Sequence, residues 1–355
     1  MKQSFLKFVA LPLFFIAPLA ALPSLPTACV PSHDGGIFKS GDRGETWQQK
    51  VTITKSQSIA GTDIIAAKID PADSNILYLG TVTEGIFKSM DGGELWYRLN
   101  ENNKVFTKGA NVYDIAVDPK NNANIYVGAY QDRFGRFFRS PDGGKNWEET
   151  YRVSRERYAI FAVEVDHANP SIIYIGTAEG GFLKSTDYGK SWRTINWFND
   201  VISDIKFDPY DSRVVYVSTY RNGLYKTTDA GATWQHIDSI LSFPEAMQIE
   251  TLVMDSHNPN VLYTGSQTGL LKTTDGGQTW QRVNIIIPPN SVLVQAVAID
   301  PNNSSVLYYG AGSVLYRSLD GGQTWTGHPI VTSKKIQAIT IDPKNSNIVY
   351  LGLRS

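Results

Sequence analysis

The sequence predicts an all-β fold, a single seven-bladed β-propeller whose blades are four-stranded antiparallel sheets. Three observations support this prediction: a motif that recurs seven times, a hairpin pattern that alternates with it, and the order in which the two patterns meet the chain ends. The motif aspartates follow one another at intervals of 49, 51, 45, 42, 46 and 45 residues. A β pattern that repeats at this period has the length of one propeller blade.

The motif combines a serine or threonine, an aspartate, a glycine and a tryptophan, as in STDYGKSW at 185–192. We expect the aspartate to accept backbone N–H groups of its own turn, the glycine to adopt positive φ, and the tryptophan to pack against its blade or a neighbour. Because seven dispersed copies cannot converge on one reacting atom, the motif predicts architecture rather than catalysis. The aspartates are Asp42, Asp91, Asp142, Asp187, Asp229, Asp275 and Asp320. The tryptophans are Trp47, Trp96, Trp147, Trp192, Trp234, Trp280 and Trp325.

The second pattern is a pair of short apolar runs joined by a turn rich in Asp, Pro and Asn, as in AAKIDPADSNILYLGT at 66–81. Such a pattern is typical of a β-hairpin. A third run precedes each motif and a fourth begins at its tryptophan. Each repeat is therefore predicted to hold four strands, A to D, with the motif in the C–D turn.

The chain ends indicate how the ring closes. The chain begins with a C–D hairpin at 36–49 and ends with an A–B hairpin at 338–353. Joined together, the two hairpins complete a seventh blade and leave no open sheet edge. We therefore predict one propeller domain over 36–353.

The first 28 residues read as a signal peptide: two lysines precede an apolar, uncharged stretch. Cys29 is the single cysteine and follows a small residue, which predicts a lipid attachment site, with 29–35 as a short tether. We expect an exported lipoprotein on the extracytoplasmic face of a bacterial membrane. The alternatives are a secreted or periplasmic protein with an incidental thiol, or an uncleaved anchor.

Composition excludes several function classes. The chain carries a net charge of −1, and removal of the first 28 residues leaves 31 basic against 34 acidic residues, or −3, which argues against a nucleic-acid partner. The five histidines show no metal-ligand spacing, and each "DGG" leads into a strand rather than a helix, so it is no phosphate loop. We expect no cofactor and no metal, and a monomeric chain.

Candidate binding residues lie where the repeats are irregular. The A–B and C–D turns should share one face, and the variable D–A and B–C loops the other. The sequence predicts a long B–C loop at 130–138 and an arginine-rich D–A loop at 150–159, a composition that favours protein recognition. The candidates are Arg133, Arg136, Arg152, Arg155, Arg157, Tyr130, Phe134, Tyr151, Tyr158, Trp197, Phe198, Tyr220 and Arg221. The alternative is that these arginines are solvated and pair with Glu149, Glu156 and Asp132.

The motif is the Asp-box, or bacterial neuraminidase repeat, and the whole chain resembles the photosystem II stability and assembly factor family. This resemblance implies an exported or lipid-anchored propeller that binds a membrane-protein partner without catalysis, through an arginine-rich patch. The arginines at 133–157 are candidates for that patch. Related domains occur in bacteria without photosystems, so the resemblance does not imply photosynthesis.

More distant resemblances leave a carbohydrate-active protein as the alternative. The xyloglucanase type of Asp-box glycosidase has similar hairpins but uses two propellers with a cleft between them. The sortilin type has ten blades and a cysteine-rich module, and the sialidases carry a tetrapeptide motif that this chain lacks. Glycosidases need paired carboxylates, and sugars could stack on Trp197 and the loop tyrosines. The loop carboxylates are Asp63, Asp132, Glu179, Asp200 and Glu245.

Overall fold

The computed structural model describes residues 34–99, 105, 107 and 109–355, with the side chain of Glu245 excepted. The predicted signal peptide, Cys29 and all but the last two residues of the predicted tether lie outside the described residues. The described chain forms seven four-stranded antiparallel sheets arranged as a ring, which confirms the predicted propeller. Two single-turn 3-10 helices, Asp238–Ser242 and Pro244–Ala246, lie in one D–A connection.

The blades follow the chain order, with strand A innermost. Blade 1 comprises β3 (Ile64–Ile69), β4 (Leu77–Thr81), β5 (Ile86–Ser89) and β6 (Tyr97–Arg98). Blade 2 comprises β7 (Asn111–Val117), β8 (Ile125–Gln131), β9 (Phe134–Ser140) and β10 (Glu148–Arg152). Blade 3 comprises β11 (Ile160–Val165), β12 (Ile173–Thr177), β13 (Gly181–Ser185) and β14 (Arg193–Trp197). Blade 4 comprises β15 (Ile202–Phe207), β16 (Val215–Thr219), β17 (Gly223–Thr227) and β18 (Gln235–His236).

The remaining strands complete the ring. Blade 5 comprises β19 (Thr251–Met254), β20 (Leu262–Ser266), β21 (Gly269–Thr273) and β22 (Gln281–Arg282). Blade 6 comprises β23 (Val294–Asp300), β24 (Asn303–Ala311), β25 (Val314–Ser318) and β26 (Thr326–Pro329). Blade 7 joins the chain ends in the order β2 (Gln48–Gln49), β1 (Ile37–Ser40), β28 (Val349–Arg354) and β27 (Lys335–Ile341). The predicted closure is confirmed by the β1–β28 register, in which Ile37 pairs with Gly352.

The core lies between the blades rather than within any one of them. Strand B is buried at every residue in β4, β12, β16 and β20 and over most of its length in β8, β24 and β28. The glycine of this strand lets the next blade approach: a Cβ at Gly80 would lie 2.6 Å from the backbone oxygen of Val112. In each blade the A–B and C–D turns meet, as where the Gly92 N–H donates to the Asn75 carbonyl at 2.9 Å. We call this side the box face and the opposite side the loop face.

The segment at 130–138 differs from its prediction as a long B–C loop. Strands β8 and β9 instead run on to a two-residue turn formed by Asp132 and Arg133, whose φ angles are 48° and 73°. Positive φ at both central residues is the geometry of the tight hairpin turn that matches strand twist. The extra residues therefore lengthen two strands. Within the described chain, no helix is long and apolar enough to cross a membrane.

Candidate functional site

The Asp-box carboxylates are engaged by their own turns. The Ser185 hydroxyl donates to Asp187 Oδ1 at 2.8 Å, the Gly189 N–H donates to Ser185 Oγ at 2.8 Å, and the Ser191 N–H donates to Asp187 Oδ1 at 2.9 Å. The same three hydrogen bonds occur in the other six boxes. Burial works to raise the pKa of Asp187, but these bonds and the Ser191 hydroxyl lower it to about 2. The boxes therefore hold turns in place.

Each box tryptophan packs against the preceding blade of the ring. Trp192 of blade 3 meets Phe137 of blade 2 edge to face, with ring centroids 4.6 Å apart. Trp234 of blade 4 meets Phe182 of blade 3 in the same way at 5.1 Å. The tryptophans are therefore wedges between blades.

A second set of contacts between blades was not anticipated from the sequence. The strand-B tyrosine reaches the next box, where Tyr216 donates to the Gly276 carbonyl at 3.2 Å and Tyr350 donates to the Gly92 carbonyl at 3.0 Å. A strand-C lysine covers the ring, as where Lys226 Nζ lies 4.9 Å from the centroid of Tyr216. The sequence indicates these contacts through a tyrosine that recurs in strand B and a lysine or arginine that recurs in strand C. Most of these side chains on the box face therefore hold neighbouring blades together.

Five arginines lie on the loop side of blade 2, and we call them the arginine cluster: Arg133, Arg136, Arg152, Arg155 and Arg157. Arg136 is largely buried, and its guanidinium contacts Glu149 at 2.6 Å and Asp132 at 3.1 Å. Arg152 shares Glu149 at 2.8 Å. Those two arginines lower the pKa of Glu149, although its burial acts in the opposite direction. This part of the cluster is an internal ion-pair network.

The three outer arginines are exposed, and two of them pair with one carboxylate each. The side chain of Arg155 is 73% exposed and meets Glu179 of blade 3 at 3.2 Å. Arg133 is 63% exposed and meets Glu156 at 2.5 Å. Arg157 is exposed in the same loop, where its N–H donates to the Arg133 carbonyl at 2.7 Å. The Arg133–Glu156 pair is exposed on both sides, and such surface pairs contribute about 0–1 kcal/mol, so an incoming carboxylate can replace Glu156. Glu179 is only 9% exposed and stays paired with Arg155.

The aromatic candidates divide between surface and core. Trp197 is 45% exposed at the end of β14. Phe198 is buried and packs against Trp234 with ring centroids 5.0 Å apart, so its prediction as a surface residue is wrong. Side chains alternate between the two faces of a strand. Because Trp197 points outwards, the side chain of Phe198 points into the core.

The remaining candidates lie in or beside the strands. Tyr130 and Tyr151 belong to β8 and β10 and are half-buried, as is Tyr158. The Arg152 guanidinium lies 5.8 Å from the centroid of the Phe134 ring. Arg221 is exposed next to Tyr220, which lines the central channel.

The central channel is a cavity of about 880 Å³ lined by the inner strands. Tyr113 and Phe161 lie at its loop-face end, edge to face with ring centroids 4.5 Å apart, and Tyr220 lines it as well. These three aromatic rings belong to blades 2, 3 and 4. Trp197 is on the outermost strand of blade 3 and does not line the channel.

Charged side chains crowd one half of this channel. Lys206 Nζ lies 2.8 Å from Asp204, and Lys68 Nζ lies 3.6 Å from Asp114. Glu164 belongs to the same group, and burial raises its pKa to about 7 against the opposing pull of Lys206 and Lys68. Burial also acts to lower the pKa of Lys206, but Asp204 and Glu164 raise it on balance. The signal in the sequence was a charged residue inside three inner strands, as in "AKID", "VEVD" and "IKFD".

Two channel carboxylates also connect neighbouring blades. Asp114 Oδ2 accepts the Val163 N–H at 2.9 Å, and Asp204 Oδ2 accepts the Leu252 N–H at 3.2 Å. Each bond joins the inner strand of one blade to that of the next. These aspartates therefore contribute to the ring as well as to the charge of the channel.

The loop carboxylates considered for glycoside hydrolysis have local partners. Asp63 accepts from Lys334 at 2.7 Å, and Asp200 Oδ2 accepts the backbone N–H of Arg221 at 2.6 Å. Asp132 and Glu179 pair with arginines of the cluster, and the side chain of Glu245 lies outside the described residues. Within the described chain, no group of three or more His, Cys, Asp or Glu side chains is arranged to hold a metal ion.

Fold and motif together define the class: this chain is a seven-bladed Asp-box β-propeller. Within that class, residues 197–352 match the family model described as "Photosynthesis system II assembly factor YCF48". The matched range runs from the end of blade 3 to the closing strand β28.

Two kinds of solved structure share the fold. The GH74 xyloglucanase from Xanthomonas campestris superposes with a TM-score of 0.70 at 20% identity, over 86% of this chain and 52% of that chain. A structure titled "YCF48 bound to D1 peptide" gives a TM-score of 0.64 at 14% identity, over 83% of this chain and 93% of that chain. YCF48 from Cyanidioschyzon merolae gives 0.62 at 14% identity, over 82% and 95%. Identities this low establish the fold alone.

Curated relatives match over shorter stretches. Xyloglucanase Xgh74A from Acetivibrio thermocellus is 32% identical over 134 residues, which is 32% of this chain and 16% of the relative. A probable oligoxyloglucan-reducing end-specific xyloglucanase from Neosartorya fischeri is 28% identical over 123 residues, or 33% and 14%. This chain thus spans about one sixth of the length of the curated relatives that it matches.

Proposed function

We propose that this propeller is a non-catalytic binding protein that holds a segment of a protein partner, associated with a membrane, on its loop face. The observation that carries the proposal is the group of exposed arginines on the loop side of blade 2, Arg133, Arg155 and Arg157, together with the exposed Trp197 of blade 3. Arginine with aromatic side chains is the composition of protein-binding hot spots. The partner segment would be acidic, because its carboxylates can replace Glu156 on Arg133 and can approach the exposed side chains of Arg155 and Arg157.

Size supports this proposal over an enzymatic one. A single propeller accounts for 93% and 95% of the two YCF48 chains but for only about half of the xyloglucanase chain. One of those single propellers is titled as bound to a peptide. We propose the same use of a single propeller here, acting as a monomer, which light scattering would check.

The experiment is a charge reversal on the loop face. The triple variant Arg133→Glu, Arg155→Glu and Arg157→Glu should lose the proteins that co-purify with the wild-type chain from detergent-solubilised membranes. Arg213→Glu is the matched control, because Arg213 is 72% exposed, pairs with Asp211 at 2.8 Å and lies in an A–B turn of the box face. Equal recovery of the same proteins with the triple variant and with wild type would contradict the proposed surface.

We further propose that Cys29 anchors the chain to a membrane and that the loop face is turned towards that membrane. The first described residue, Asp34, accepts the Ser333 N–H at 2.6 Å, and Ser333 belongs to the D–A connection that follows β26. Asp34 is five positions after Cys29, and a fully extended chain of that length spans at most about 18 Å. A lipid on Cys29 would therefore hold the loop face near the membrane. Val331 in the same connection is 87% exposed. Detergent-phase partitioning should be lost in Cys29→Ser, and unchanged partitioning would contradict the anchor.

A carbohydrate-active protein is the second candidate. It is favoured by the xyloglucanase similarity and by Glu164, whose pKa of about 7 lets it hold a proton near neutrality beside Asp114 and Asp204. Glycosidases use one such protonated carboxyl and one ionised one. A hydrolase screen on xyloglucan and a glycan array would test it, and negative results in both would remove this candidate.

A further inference from the structure

The contact between blades 2 and 3 on the box face contains a buried arginine with incomplete hydrogen bonding. The side chain of Arg139, on β9, is only 9% exposed. Among the residues that the structure describes, none accepts a hydrogen bond from its Nε or Nη1 atom, and the nearby Tyr126 hydroxyl is unpaired as well. Glu148 lies 3.8 Å from Nε, beyond hydrogen-bond distance, and is itself exposed. A buried guanidinium without acceptors is costly unless a ligand supplies them.

The equivalent contact between blades 6 and 7 shows an arginine whose two terminal nitrogen atoms have acceptors, although its Nε atom has none among the described residues. Arg317 occupies the same strand-C position, and its Nη1 donates to the Arg43 carbonyl at 2.9 Å. Its Nη2 donates to the Glu45 carboxylate at 2.5 Å. The Tyr308 hydroxyl donates to the same Arg43 carbonyl at 3.2 Å. The next blade's box therefore supplies both the acceptors and the compensating charge.

In blade 3 the box position that corresponds to Glu45 holds a lysine. Glu45 is the third residue after Asp42, and the third residue after Asp187 is Lys190. Arg139 thus faces a like charge where Arg317 faces a carboxylate. This substitution leaves the guanidinium without the partner that the architecture provides elsewhere.

A cavity of about 250 Å³ lies at this contact, lined by Arg139, Lys120, Lys190 and Tyr188 among others. It has room for several water-sized groups at about 30 Å³ each. Asp118 also lines the cavity, but its carboxylate already accepts the Lys120 N–H at 2.8 Å, the Asn121 N–H at 3.1 Å and the Asn124 side-chain amide at 2.9 Å. The cationic groups that line the cavity are therefore Arg139, Lys190 and Lys120, whose Nζ also donates to the Ala168 carbonyl at 2.6 Å.

We propose that this cavity is a binding site for a small oxyanion, a phosphate or a carboxylate. Its oxygen atoms accept hydrogen bonds from the Arg139 guanidinium where that group lines the cavity, and the ammonium groups of Lys120 and Lys190 complete the charge balance. A planar guanidinium offers paired N–H donors that match both classes of anion. The anion takes the place that the Glu45 carboxylate holds beside Arg317.

The test uses the internal comparison between the two contacts. Thermal melting is followed at constant ionic strength while inorganic phosphate replaces chloride. The wild-type melting temperature should rise with phosphate concentration and continue to rise logarithmically above the dissociation constant, as expected for a ligand that binds only the folded state. Lys190→Glu should melt higher than wild type in chloride and lose the phosphate dependence, because the new carboxylate reaches Arg139. Glu45→Lys, the reciprocal variant, should melt lower in chloride and gain a phosphate dependence.

A second measurement does not depend on the stability of any variant. The Nε–H resonance of Arg139 in the native wild-type protein should shift saturably with phosphate, whereas that of Arg317 should not. A wild-type response equal to that of Lys190→Glu, or an Arg139 resonance that ignores phosphate, would overturn the site.

Two further probes separate the sources of the anion. Acetate and a short peptide with a single aspartate are titrated under the same conditions. Saturation by phosphate or acetate alone assigns the site to a free ion, and tighter saturation by the peptide than by acetate assigns it to an acidic side chain of a partner. No response to any of the three probes would refute the proposal.

Discussion

Replacing Glu164 by glutamine should make the propeller more stable at alkaline pH and leave it unchanged near pH 4.5. Burial raises the pKa of this carboxyl from 4.5 to about 7, in spite of Lys206 and Lys68, with Asp114 and Asp204 adding to the rise. The folded state therefore holds its proton over a pH range in which the unfolded chain has lost it. As pH rises from about 4.5 to 7, the free energy of unfolding falls, and the loss is complete above pH 7.

The magnitude follows from the two pKa values. At 1.36 kcal/mol for each pH unit between them, the upper bound is about 3 kcal/mol. The channel is open to water, which screens the charge, so we expect about 1–2 kcal/mol. Glutamine keeps the shape of the side chain but carries no charge at any pH, and so it removes this loss.

Urea unfolding followed by tryptophan fluorescence at pH 4.5, 6 and 8, at constant ionic strength, would measure the effect. The difference between Glu164→Gln and wild type should grow from near zero at pH 4.5 to about 1–2 kcal/mol at pH 8. Glu156→Gln is the control, because Glu156 is an exposed loop carboxylate. Parallel pH curves for Glu164→Gln and wild type, or a difference that shrinks with pH, would refute the reasoning.

Three further predictions concern the scaffold. Asp187→Ala should lower the free energy of unfolding by about 0.5–2 kcal/mol, the scale of a lost cap, in urea denaturation; loss of partner binding with an unchanged melting curve would show that this box is functional instead. Gly80→Ala should cost about 1–3 kcal/mol, because the added Cβ meets the Val112 carbonyl oxygen, whereas Gly41→Ala, with open space around its Cβ, is the control. Because hydrogen bonds lower the pKa of Asp187 from 3.8 to about 2, its contribution should be lost as pH falls from about 4 towards 2, and Asp187→Asn should flatten that part of the acid-unfolding curve.

The sequence predicted the scaffold because the scaffold is built from local, repeated chemistry. A box such as 185–192 carries within eight residues the hydroxyl, carboxylate, glycine and indole that its turn requires, so its presence reveals a strand pair without knowledge of the rest of the chain. Ring closure was also predictable, because the first and last hairpins are the two halves of one repeat.

The candidate site was less accessible because its properties arise between blades. Arg155 and Glu179 lie 24 positions apart and meet only when blades 2 and 3 stand side by side. The charged group around Glu164 consists of side chains from four inner strands. A charged residue within one strand does not by itself indicate that the side chains of all four strands meet in one channel. The turn at Asp132 and Arg133 was misread because neither residue is the glycine that usually marks positive φ.

The pairing of β1 with β28 makes closure of the ring depend on two strands that are far apart in the chain. Ile37 finds its partner only at Gly352, so this contact requires closure of almost the whole chain, whereas blades 1 to 6 each form from neighbouring residues. Without β28, blades 1 to 6 can still form, but the ring cannot close. Strand β28 is therefore the element that turns a row of blades into a ring, and its removal should abolish closure as well as one strand.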